Sequence, residues 1–173
     1  MLAAGASSRM GRPKGLLSLD GVPLLRAHVD AYLKAGLPVT VVLGRAAREH
    51  VETLPKHVRI IFNLDWARTE MSHSAAMGLA GAGDALLTPV DVPPVRADTL
   101  ARLLSTPGPA IPTWQGAPGH PIRLCAPHPA VRLDLRLAGA TEVPVDDPDC
   151  VRNLNRPEEW AAWLEERRSR VQR

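Results

Sequence analysis

The sequence predicts an α/β fold: a mainly parallel sheet with helices on both faces. Three observations carry that expectation. Short β-branched runs alternate with amphipathic stretches, the amphipathic stretches show helical spacing, and the seventeen prolines fall mostly between elements. Alternation of this kind favours parallel strands joined by right-handed crossovers.

Residues 24–35 place Leu24, Leu25, His28, Val29, Tyr32 and Leu33 near one face, with Gly36 as a stop, so they are expected as a helix. "PVTVVLG" (38–44) reads as a buried strand. Residues 45–54 follow as a weaker helix, with Ala46, Ala47, Val51 and Leu54 on its stripe, and "HVRIIFN" (57–63) is a second strand. "SHSAAMGLAGAG" (72–83) is expected as a small-residue helix able to lie close against a sheet. "DALLTPVDVP" (84–93) is a third strand ending at Asp91, and "ADTLARLL" (97–104) another helix. Beyond 109 the rhythm loosens through "AIPTW", "PIRL", a short helix near 128–138 and "TEVPV". The last helix, 157–168, opens on Pro157 with Asn155 upstream and Glu158 and Glu159 in its first turn. A chain of 173 residues suits one domain, with a nucleotide half at about 1–106 and an acceptor-side half at about 107–173.

Composition narrows the function classes. The core must be aliphatic, since Phe62 and Tyr32 are the only residues of their kinds. The formal charge of +3 falls to −1 once Arg167, Arg168, Arg170 and Arg173 of the tail are removed. A basic tail on a near-neutral body, without interleaved aromatics, argues against nucleic acid. Cys125 and Cys150 lie at no metal or redox spacing and point to a reducing compartment. No apolar run reaches the length of a membrane span and the first residues lack a signal peptide's charged and apolar regions, so the expected location is cytoplasmic, with no membrane partner.

If Met1–Ala4 end a first strand, "GASSRMGRPKG" leaves its carboxyl end, where ligands of such sheets bind. Gly5 and Gly11 let backbone N–H groups approach an anion, Arg9 supplies a bidentate fork and Lys14 a point charge. The P-loop is excluded because Arg12 and Pro13 follow Gly11, and the dinucleotide fingerprint because Gly5 to Gly11 lacks its spacing. Taken alone, this segment reads equally as a solvated loop. Asp91 brings a carboxylate to the same sheet edge, suited to Mg²⁺ shared with substrate phosphates, although a strand-end Asp also serves as a helix cap.

These residues resemble a known family. "LAAGASSRMGRPK" (2–14) is similar to the signature of the nucleotidyltransferases related to the molybdenum-cofactor cytidylyl- and guanylyltransferases. "NLDWARTEMSHSAAMGL" (63–79), "PVDVP" (89–93), "GAPGHPIRL" (116–124) and "NLNRPEEW" (153–160) resemble further motifs in the family's order. The resemblance implies a Rossmann-like domain that uses Mg²⁺ to transfer a nucleoside monophosphate, CMP from CTP, to a phosphorylated acceptor such as a molybdopterin cofactor, releasing pyrophosphate. A guanylyltransferase, a phosphosugar or phospho-alcohol nucleotidyltransferase and a nucleotide-binding module without turnover are the alternatives.

By the same resemblance Arg9, Lys14 and Asp91 are catalytic, with Asp91 on the metal. Leu2, Ala3, Ala4, Gly5, Ser7, Gly11, Ser72 and Ser74 would contact the nucleotide, and His120, Asn153 and Asn155 the acceptor. Ser72 and Ser74 read equally as helix caps, His120 as a turn residue, and Asn153 and Asn155 as caps of the last helix. His28, His73, Asp146 and Asp147 read as surface or structural.

The chain departs from the family in four places. Only Met1–Ala4 remain for a strand expected to be longer, so either it is unusually short or the natural start lies upstream. Thr69-Glu70 stand before Met71 where relatives carry a glycine, and "NLN" replaces Asp-x-Asp. The 125–141 segment is short. Ala4 and Gly119-His120-Pro121 therefore favour cytidine, whereas Asn153 and Asn155 favour guanosine.

Overall fold

The computed structural model describes residues 1–127 and 139–171; the helix expected near 128–138 lies outside them. The chain opens with β1 (Leu2–Ala3) and a loop carrying two 3₁₀ turns, Ser8–Met10 and Lys14–Leu16. A hairpin of β2 (Ser18–Leu19) and β3 (Val22–Pro23) leads into α1 (Leu24–Lys34). Then come β4 (Thr40–Leu43), α2 (Ala47–Thr53), β5 (Arg59–Phe62), α3 (Met71–Leu79), β6 (Ala85–Leu87) and α4 (Ala97–Ser105). The second half holds β7 (Ala110–Trp114), β8 (Ala117–Pro118), β9 (Ile122–Leu124), β10 (Thr141–Pro144) and α5 (Pro157–Val171).

β1, β4 and β5 form a parallel ladder, and β6, β9, β7 and β10 a mixed one. Leu2 joins them: its N–H donates to the Thr88 carbonyl at 2.8 Å, and its carbonyl accepts from Val90 N–H at 2.9 Å. The result is a continuous sheet in the order β5-β4-β1-β6-β9-β7-β10, in which β9 runs antiparallel to both neighbours and β10 parallel to β7. This is the Rossmann-like, mainly parallel arrangement expected, with β1 near the middle. β1 ends where the chain turns away at Ala4 and Gly5, and it bonds on both edges.

The strand period of two separates the faces. Leu2, Ala4 and Val42 pack with Ala75 and Leu79 of α3, while Ala3, Val41 and Leu43 pack with Leu25 and Val29 of α1. α3 approaches closely at Gly78, where an added Cβ would lie 2.9 Å from Val42 Cγ2. That helix stops at Leu79, four residues before the expected end, because Ala80 turns extended and Gly81 adopts φ +70°. Asp20 and Gly21, at φ 51° and 85°, make the tight turn of the β2–β3 hairpin, which periodicity did not anticipate. Among the described residues no helix is long and apolar enough to cross a membrane.

Buried polar groups tie the sheet edge to the helices. His28 on α1 is 1% exposed, and its Nε2–H donates to the Val92 carbonyl at 2.8 Å, holding the chain just after Asp91. Burial pushes its pKa from 6.5 down to about 4, so the folded ring stays neutral where the unfolded one takes a proton. Stability is therefore full above the unfolded value near 6.5 and declines as pH falls toward about 4. This one group accounts for about 3 kcal/mol across that window. His28→Gln keeps a donor and cannot be protonated; its denaturant midpoint should fall less steeply between pH 6.5 and 4. An unchanged acid slope would remove His28 as a source of the effect.

Candidate active site

The opening loop is held in shape from below. Ser7 sits in the left-handed region at φ 51°, Met10 N–H donates to the Ser7 carbonyl at 3.1 Å, and Gly11 (φ +75°) reverses the chain. Met10, 4% exposed, packs in a cluster with Leu17, Leu24, Leu154, Trp160 and Trp163. From the side, Arg45 Nη1 donates to the Ala6 carbonyl at 2.5 Å. Ser7 Oγ accepts from Lys14 N–H at 3.2 Å and closes the loop on itself. Among the described residues, the N–H groups of Gly5, Ala6 and Ser7 donate to no backbone carbonyl and remain available to an anion.

The polar groups converge on one point. Lys14 Nζ donates to Asp91 Oδ2 at 3.1 Å and to Asn155 Oδ1 at 2.8 Å, and Arg9 Nη2 donates to the same Asn155 oxygen at 2.9 Å. The Lys14 and Asp91 side chains are only 11% and 18% exposed, so the pair is substantially desolvated. Leu154 N–H donates to the Asp91 carbonyl at 2.7 Å, which places Asn153 and Asn155 beside the strand-end acid. Asn155 does not cap the last helix. Glu159 performs that task, its Oε2 accepting from the N–H of Asn155 at 2.6 Å and of Arg156 at 3.1 Å, and this frees the amide to face the cations.

A cavity of about 310 Å³ opens over this cluster. Leu2, Ala3, Ala4, Gly5, Ser7, Arg9, Lys14, Ser74, Asp91 and Asn155 all line it. Gly11, Ser72, His120 and Asn153 stand outside the lining. Gly11 shapes the loop, Ser72 is half-buried, and Asn153 is exposed next to the site. His120 is 7% exposed, with its Nδ1 unpartnered among the described residues; burial draws its pKa down to about 4 against the opposing pull of Asp91 and the Leu87 carbonyl. A larger cavity of about 560 Å³ lies at the amino ends of the strands. Its walls are largely aliphatic, and its Arg123 and Asp84 are already paired at 3.2 Å, so the chemistry belongs to the smaller one.

His50 was not foreseen. Its Nδ1–H donates to the Ala46 carbonyl at 2.8 Å, burial lowers its basicity, and its Nε2 has no partner among the described residues. The ring lies against Gly15, a tertiary approach with no local signature. A Cβ at Gly15 would meet His50 Nε2 at 2.6 Å, Cδ2 at 2.8 Å and Leu25 Cβ at 3.1 Å. Gly15→Ala is therefore expected to cost about 1–3 kcal/mol and displace Lys14. Thermal melts of Gly15→Ala and of Gly15→Ala/His50→Ala check this, because the second change should restore part of the loss.

Asn63 Nδ2 donates to Thr69 Oγ1 at 2.9 Å and to Ser74 Oγ at 3.0 Å, fixing the end of β5 against the start of α3. Trp66, Thr69, Glu70 and Met71 add to the cavity wall there. All four stood in the 63–79 motif that the sequence displayed, as did Asn63, which acts from behind.

A Rossmann-like sheet whose central strand feeds a cationic glycine-bearing loop, closed against a strand-end carboxylate, defines a nucleotidyltransferase. The chain belongs to the MobA-like NTP transferase domain family, whose model matches residues 1–143. It is 30% identical over 130 residues to the molybdenum cofactor cytidylyltransferase of Escherichia coli K12, covering 72% of this chain and 68% of that one. It is 38% identical over 109 residues to the bifunctional protein GlmU of Chromohalobacter salexigens, covering 60% of this chain but only 24% of GlmU. Among solved structures, a nucleotidyl transferase from Methanothermobacter thermautotroptrophicus superimposes with a TM-score of 0.75 at 26% identity, covering 95% and 94% of the two chains.

Proposed function

We propose that this chain transfers the nucleoside monophosphate of CTP or GTP to a phosphorylated small-molecule acceptor of the molybdopterin class and releases pyrophosphate. The convergence of Lys14, Arg9, Asp91 and Asn155 on one cavity carries the reading. An acceptor phosphate oxygen is already anionic, so attack on the α-phosphorus requires no protein nucleophile. It requires alignment and the neutralisation of charge that spreads over the phosphates. Arg9 and Lys14 supply that charge, and the loop N–H groups orient the chain of phosphates.

The donor set fits a hard divalent cation such as Mg²⁺. Asp91 Oδ1 has no hydrogen bond among the described residues and is open to a cation, while the neighbouring Asn155 Oδ1 accepts from Lys14 and Arg9. No group of three or more His, Cys, Asp or Glu gathers among the described residues, which suits an ion that takes most of its oxygens from phosphate and water. Bound there, such an ion would screen the triphosphate and favour departure of pyrophosphate.

Leu2, Ala3, Ala4 and Gly5 form the wall for base and ribose, with Ser74 and Ser72 at the start of α3. His120, Asn153 and Asn155 flank the acceptor side. The similarity to the E. coli cytidylyltransferase supports this class of acceptor. The test is pyrophosphate release from CTP, GTP, ATP and UTP with Mg²⁺ and a panel of phosphate acceptors that includes molybdopterin. Turnover with a phosphorylated acceptor is expected; nucleotide-induced stabilisation without turnover under any pairing would replace the enzyme with a binding module.

A further inference from the structure

The nucleotide cavity contains a carboxylate that the reaction does not need. Glu70 lines it from the residue preceding α3, is exposed, and makes no ion pair or side-chain hydrogen bond among the described residues. A carboxylate beside triphosphate would be repulsive, so its place relative to the cations decides its role. Glu70 heads α3, whose Ala75 and Leu79 pack over Leu2, Ala4 and Val42 of the β1–β4 region. The cationic cluster gathers after β6, whereas Glu70 stands with Thr69 and Ser74 after β5. With the phosphates on Lys14 and Arg9, the part of the cavity lined by Trp66, Thr69, Glu70 and Ser74 is left for the base.

The polar groups at that end have a defined hydrogen-bonding capacity. The Thr69 hydroxyl is spent on the Asp65 carbonyl at 3.0 Å. Ser74 Oγ accepts from Asn63, and its own proton is uncommitted among the described residues. What remains is one donor on Ser74 and the two acceptor oxygens of Glu70. Guanine presents the complement on one edge: an O6 acceptor followed by adjacent N1–H and N2–H donors. Cytosine offers a single amino group beside an N3 lone pair that a carboxylate repels, and adenine likewise pairs its amino group with an N1 lone pair. Uracil has one N–H between two carbonyls.

We propose that the unpaired Glu70 carboxylate makes this cavity select guanine, so that GTP is the donor nucleotide. The inference rests on the nucleotidyl-transfer reading and makes a specificity residue of a position that stood out only as a departure from the family.

The experiment is equilibrium binding of GTP, ITP, CTP, UTP and ATP with Mg²⁺, without acceptor, to the wild-type chain and to Glu70→Gln. ITP keeps N1–H and lacks the 2-amino group. The wild-type chain should bind GTP roughly 10- to 100-fold tighter than CTP, with ITP between them. Glu70→Gln should lose most of that GTP affinity and gain affinity for CTP. Because Glu70 is exposed, the variant's melting temperature should match the wild type and exclude unfolding as the cause. Wild-type binding of CTP as tight as GTP, or equal weakening of both by Glu70→Gln, overturns the selection of guanine while leaving nucleotide binding intact. Failure of every triphosphate to bind overturns the underlying reading as well.

Discussion

Replacing Lys14 with methionine is expected to lower pyrophosphate release by about 10²–10³-fold, the scale seen when one preorganised donor to a developing anion is removed. Methionine keeps the length of the apolar stem and removes only the charge. That charge lies 3.1 Å from Asp91, so Lys14→Met also leaves a mostly buried acid without its partner. Some stability loss must follow, though less than for a fully buried pair, since both side chains retain contact with water. A double-mutant cycle with Asp91→Asn separates the two roles. If the pair were only structural, Lys14→Met/Asp91→Asn would recover both stability and turnover. If both groups handle the triphosphate and its cation, the double variant recovers stability while turnover stays at or below that of the weaker single variant. Recovered turnover would remove both residues from the catalytic machinery.

Trp163→Ala is expected to produce the largest stability change in the chain. Trp163 is fully buried, its ring centroid lies 5.3 Å from that of Trp160, and its Nε1–H donates to Asp149 Oδ1 at 2.9 Å. Emptying such a site costs about 3–5 kcal/mol, equivalent to a fall of about 6–20 °C in Tm for a domain of this size. Trp163→Phe, which loses chiefly the bond to Asp149, should cost about 1–2 kcal/mol. The same cluster seats Met10, the buried anchor of the opening loop. Trp163→Ala should therefore also weaken nucleotide binding, measured below the variant's lowered melting point, although Trp163 lies outside the cavity lining. A stability loss under 1 kcal/mol would mean that α5 does not anchor the loop.

Element types were legible along most of the chain because their signals are short-ranged. α1, β4, β5 and α4 fall within a few residues of the positions read from periodicity. The β2–β3 hairpin escaped because two-residue strands have no period to detect; Asp20-Gly21 was its only mark. α3 was overextended because small residues at helical spacing continue past Gly81, whose positive φ is a backbone event with no apolar signature. Asn155 was read with acceptor contact and helix capping both open. Its actual engagement depends on Glu159 taking the capping bonds, a competition that composition does not report.

By itself, then, the sequence determined the alternation of strand and helix, the glycine-bearing cationic loop and the carboxylate at a strand end, because each is written within a window of a few residues. Only the tertiary structure decided that Lys14 meets Asp91 across 77 positions and Asn155 across 141, that His50 lies against Gly15, and that Glu70 lines the same cavity without a partner among the described residues. Backbone propensity acts between near neighbours in the chain. The partner of a polar side chain is settled by which strands lie side by side in the sheet, and the crossing of Leu2 between Thr88 and Val90 establishes that order.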